Sequence, residues 1–213
     1  MMKTKRFFLM MVFAVTSVFA MADSPLTSCS IYKYYQNVTM VKTAGNAKNI
    51  NQTIMAYLAN KNNPIATRMA VVYTLVLGTD PWPKDDTQEF PEKYLEYLKK
   101  RNAVTSESAL IEKIDGPTLM TYAYMLALAN YADEDVVANA RMLSEQAISK
   151  DQTKSLTVRL IGAVITGQYW MSSDWGMVYR DAERVINDGS LKKDMKQDAV
   201  NDIWNYLKAY KDY

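Results

Sequence analysis

Glycine and proline stand mostly between segments of helical apolar period, which leaves this chain little room for anything but short helices joined by tight turns. Seven glycines and six prolines occur in 213 residues. Asn63-Pro64 reads as an N-cap followed by proline at the first helical position. The apolar run Ile65–Leu77 follows, and Gly78 can close it. Asp80-Pro81-Trp82-Pro83 cannot continue a helix and makes a loop. Asp86 with Glu89 has capping-box spacing and opens a helix through Tyr94, Leu95, Leu98 and Arg101. Gly116-Pro117 repeats the stop-then-start signal.

Beyond Pro117 the pattern is regular. Thr118–Tyr131 is almost wholly apolar, whereas Asp133–Ser149 places Val136, Ala140, Leu143 and Ala147 on one face. Asp151 is positioned to cap the next helix, in which Gly162 and Gly167 cost propensity and imply close packing against a neighbour. Trp175, Val178, Tyr179, Ala182, Val185 and Ile186 form a further stripe, ended by Asn187-Asp188-Gly189. Met195, Ala199, Ile203, Tyr206 and Tyr210 mark a last helix. Residues 31–43, rich in Tyr, Val and Thr, have the most strand character and are assigned here to a helix. The expected fold is all-α, with residues 23–213 as one domain, 23–45 partly irregular and 117–188 forming two helical hairpins.

The hairpins Pro117–Lys150 and Asp151 to about Asn187 have the period of tetratricopeptide repeats. Tyr124, Ala127, Leu128, Tyr131, Ala140 and Ala147 fall at that spacing in the first, and Thr166, Tyr169, Trp170 and Ser173 take the equivalent places in the second. Residues 117–188 thus resemble a degenerate tetratricopeptide-like unit. The resemblance implies antiparallel hairpins stacked as a short right-handed array, with a groove for a protein or peptide partner. An irregular bundle is the alternative packing.

The N-terminus reads as an export signal. Lys3, Lys5 and Arg6 precede the uncharged, mostly apolar stretch Phe7–Ala20, and Ala20-Met21-Ala22 supplies a small-x-small cleavage site. Asp23 and Pro25 end the apolar run short of a membrane span. Removing residues 1–22 leaves about 190 residues, enough for one sizeable core. It also removes three basic residues and no acid, so the exported chain is near neutral, with no basic excess to attract nucleic acid. The expected location is periplasmic or extracellular, with no membrane span after cleavage. Leu26-Thr27-Ser28-Cys29 is similar to the lipobox of bacterial lipoproteins, which makes Cys29 a candidate for lipidation and a membrane anchor.

The composition narrows the chemistry. Histidine is absent and Cys29 is the lone cysteine, so imidazole-dependent triads and His- or Cys-based zinc and haem sites are excluded. No cofactor is expected. Glu107-Ser108, with Leu119-Met120 downstream, is similar to the lytic transglycosylase active site, in which one Glu protonates the glycosidic oxygen. The glycines and glutamine of that motif are missing, so Glu107 is a lone catalytic candidate. Asp80, Asp85, Asp86 and Glu89 gather carboxylates on one loop and are candidate Ca²⁺ ligands. Trp82, Tyr169, Trp170 and Trp175 are the candidate partner surface, for a protein, a peptide or a glycan, since aromatic faces cover apolar surface while their polar tips still hydrogen-bond.

Overall fold

The computed structural model describes residues 24–79 and 83–213. Its described residues are all-α: α1 (Pro25–Ser28), α2 (Thr39–Asn46), α3 (Gln52–Leu58), α4 (Ile65–Val76), α5 (Phe90–Arg101), α6 (Glu107–Lys113), α7 (Gly116–Ala129), α8 (Glu134–Lys150), α9 (Leu156–Trp170), α10 (Trp175–Ile186) and α11 (Gln197–Leu207), with three 3₁₀ turns. Among these residues β pairing is limited to one parallel bridge between Ser155 and Lys192. The signal-peptide assignment, Asp80 and Trp82 lie outside the described residues.

The apolar helices are the central ones. Every residue of α4 is buried, because α2, α7 and the 3₁₀ turn Ile31–Tyr35 pack on it. In α7 all but Pro117 and Leu126 are buried, between α4, α5, α8 and α9. A helix enclosed on all sides has no polar face, which is why these segments read as continuous apolar runs. The amphipathic α8 and α10 complete antiparallel pairs with α7 and α9, and α9 packs on both α7 and α8. Gly162 and Gly167 sit at such contacts. A Cβ on Gly162 would stand 2.7 Å from Ile148 Cδ1, and one on Gly167 would stand 3.3 Å from Val178 Cγ1.

Both ends of the described chain join the same core, which runs from Leu26 to Tyr210. Tyr73 Oη donates to the Thr27 carbonyl at 2.7 Å, and its ring stacks on Tyr32 at 5.2 Å. The Lys196 N–H donates to Tyr35 Oη at 2.9 Å, tying the first 3₁₀ turn to the start of α11. Residues 31–43 form no strand. They make the 3₁₀ turn and the start of α2, whose Val41 and Ala44 face the core.

Three capping assignments are corrected. Pro64 is the N-cap residue of α4 rather than its first helical residue, and Asn63 Nδ2 instead donates to the Tyr57 carbonyl at 2.8 Å. Asp86 has left-handed φ (61°), and its side chain caps nothing. A 3₁₀ turn, Thr87–Glu89, intervenes before α5, whose first turn carries Pro91. Asp151 accepts from the Thr153 and Ser155 N–H groups, and Ser155 caps α9 through the Val158 N–H. A carboxylate four residues ahead of the cap closes the turn instead of the helix.

Candidate functional site

An open groove of about 480 Å³ crosses the two adjacent hairpin turns, α7–α8 and α9–α10. Each turn is set by its own aspartate. Asp133 accepts from the Asp135 and Val136 N–H groups at 3.1 Å and starts α8. Asp174 accepts from the Met177 N–H at 3.2 Å and starts α10, while its carboxylate holds Arg180 at 3.0 Å. These caps bring Tyr131 and Glu134 of one turn beside Tyr169, Ser173 and Trp175 of the other. Gln168 joins the turns: its Nε2 donates to the Tyr131 carbonyl at 3.2 Å, and its Oε1 accepts from Ser24 Oγ.

The aromatic wall extends past the groove. Tyr169 and Trp170 meet edge to face at 5.0 Å, and the Arg141 guanidinium lies 4.6 Å from the Tyr169 ring centroid and 5.3 Å from that of Trp170. Glu145 Oε1 holds the same guanidinium at 2.9 Å, fixing its plane. On the other side Trp175 packs against Tyr210 at 5.4 Å and Tyr213 at 6.0 Å. Trp175 is 39% exposed and Tyr213 76% exposed; with Met142 they are the exposed large apolar side chains of the described residues. The surface offers stacking faces, a carboxylate at Glu134 and hydroxyls at Ser172 and Ser173.

The sequence candidates are distributed unevenly over this geometry. Tyr169 and Trp175 line the groove, and Trp170 buttresses it through Tyr169. Glu107 is elsewhere, in the first turn of α6 beside the N-cap Ser106, where its Oε1 accepts from Tyr122 Oη at 3.4 Å. Burial first, and then Glu107, push the Tyr122 phenol well above its ordinary range. Glu107 lines neither the aromatic groove nor the polar pocket at the α5 end. Asp85 and Asp86 are exposed, and Glu89 pairs with Lys93 at 2.8 Å. Among the described residues no three acidic or thiol groups converge to hold a metal ion. Cys29 is 1% exposed, and burial, followed by Asp202, pushes its thiol pKa far up.

Sequence reading missed Ser24, Tyr131, Gln168 and Arg141. Periodicity detects buried stripes, and these residues lie at the N-cap of α1, in the α7–α8 turn, in the last turn of α9 and on the outer face of α8. The nearest signal was the Asp133 and Asp174 pair, one hairpin apart.

No protein-family model, curated protein or solved structure matches this chain.

Proposed function

We propose that this is an exported, non-catalytic binding protein that grips a short segment of a protein partner in the groove across its two hairpin turns. The observation that carries the reading is that Trp175 and Tyr213, two of the exposed large apolar side chains, pack against each other at a tilt, with Trp175 lining the groove. Trp, Tyr and Arg dominate binding hot spots, and Arg141 on Tyr169 supplies the third type. Binding rather than catalysis is supported by the absence of His and by the burial of the lone thiol. A chain beginning at Asp23 is favoured over an acylated Cys29. Cleavage ahead of Cys29 would strip Leu26 and Thr27 from the core and free Tyr73 Oη from its acceptor.

A second reading, glycan binding, rests on the hydroxyls of Ser172 and Ser173 beside the Trp175 face. Selection of a displayed random-peptide library on the mature protein, followed by titration of the selected peptides and of muropeptides, separates the two. The expected result is saturable peptide binding weakened by about 2 kcal/mol or more in Trp175→Ala, with unchanged circular dichroism. Muropeptide binding with the same Trp175 dependence would replace the peptide reading by the glycan one. Binding of neither ligand class would overturn both.

A further inference from the structure

Between the C-terminal ends of α3 and α5 and the α6–α7 junction lies a second, smaller pocket of about 190 Å³, remote in sequence from the aromatic groove. Lys61, Arg101 and Lys113 supply its charge, and Asn60, Asn62, Asn102 and Thr118 its uncharged polar lining. One carboxylate stands close by: Asp115 pairs with Lys61 at 3.0 Å and caps α7 through the Thr118 N–H at 2.8 Å. Asp115 therefore offsets one of the three lining cations.

A fourth cation stands in the same corner. Arg68 of α4 is 3% exposed and spends Nη1 on the Leu58 carbonyl at 3.3 Å, which leaves its Nε without a partner. Tyr94 Oη, within electrostatic reach of Arg68, Arg101 and Asp115, is also buried and unpartnered. Thr118 Oγ1 is buried as well and, against the opposing effect of burial, helps hold the Asp115 carboxyl below its usual range. Two buried donors without a partner, Arg68 Nε and Tyr94 Oη, thus stand in this corner, closed off from solvent. The pocket lining carries three cations against one neighbouring carboxylate, and Arg68 adds a fourth positive charge in the same corner.

The competing explanation is that the cations serve the helix C-termini, whose carbonyls carry partial negative charge. Lys113 does so, donating to the Asn102 carbonyl at 2.6 Å. Arg101 does not: its recorded contact is with Tyr97 Oη, at 3.4 Å. The positive excess survives that accounting. The acid-free stretch between Asp23 and Asp80 supplies Lys61 and Arg68 to the corner.

We infer that this pocket is a binding site for a small oxyanion, a phosphoryl or carboxylate group, held by Arg101, Lys113 and Lys61. Charge-assisted hydrogen bonds to such a group are the strong ones, and a planar guanidinium can hold it with two parallel N–H donors. The site is independent of the aromatic groove.

Titration of the mature protein with sodium phosphate and with sodium acetate, each against sodium chloride at matched ionic strength, tests this by amide chemical shifts. Saturable shifts confined to residues 60–62, 101–102 and 113–118 are expected, with half-saturation at millimolar concentration or below. A stronger phosphate response would assign a phosphoryl ligand, and a stronger acetate response a carboxylate. Arg101→Ala and Lys113→Ala, both at exposed positions, should each weaken the response about tenfold without loss of fold, and Arg101→Glu should abolish it. Shifts no larger than those given by chloride, or spread over all surface lysines and untouched by these variants, would overturn the assignment.

Discussion

Gly116 stands so close to the C-terminus of α8 that a Cβ on it would lie 2.4 Å from the Ala147 carbonyl oxygen and 2.7 Å from the Asp151 nitrogen. Both are backbone atoms of a neighbouring helix end and cannot swing aside. Gly116→Ala should therefore cost about 1–3 kcal/mol through overpacking. Gly162→Ala meets only the tip of Ile148, which can change rotamer, and it gains roughly 1 kcal/mol of helix propensity. Urea unfolding of the two variants checks the contrast. Equal losses would mean that the α7–α8 approach is looser than the structure has it.

Burial keeps the Cys29 thiol protonated, and the thiolate is the reactive form. In the native protein a disulfide reagent should thus modify Cys29 no faster than the protein opens, and reaction should become immediate in denaturing urea. Deleting residues 23–28 removes Leu26, which is fully buried, and should destabilise the fold by about 2–5 kcal/mol. Native reaction at the rate of a free peptide thiol would show that this segment is not docked.

Several buried tyrosines make the fold alkali-sensitive. Burial pushes the Tyr73 phenol up to about 12, with Ser30 pulling the other way, and raises Tyr94 and Tyr124 well above their ordinary value as well. In the unfolded chain these groups ionise near pH 10, so above that pH the folded state holds more protons than the unfolded. Stability contributed by these phenols is therefore complete below about pH 10 and falls as pH rises through the folded values. Phenolate absorbance and circular dichroism should change together during an alkaline titration. Ionisation of every tyrosine with the helices intact would contradict it.

The longer helices α4, α5 and α7 to α11, and their order, were legible in the sequence because burial writes itself as period, whereas the short α1, α3 and α6 were not. Enclosed helices such as α4 and α7 read as unbroken apolar runs, and one-sided helices such as α10 read as stripes. Capping follows local rules where the side chain's own turn decides it, as at Asp133 and Ser106. It failed at Asn63 and Asp151, whose side chains close local turns instead, and at Asp86, whose backbone is left-handed. Asp194 reaches back to the Thr157 N–H at 3.0 Å, a contact no local rule anticipates.

By itself, then, the sequence determined an all-α chain, the approximate limits of its helices, and a chemistry without imidazole. Tertiary structure alone decided which polar groups meet. Arg141 reaches Tyr169 because α8 packs on α9, and the corner of Arg68, Tyr94 and Thr118 exists because α4, α5 and α7 cross there. The physical reason is range. Helix propensity and amphipathicity act within a few residues, whereas grooves and pockets arise from side chains dozens of positions apart, whose approach is set by how whole helices pack.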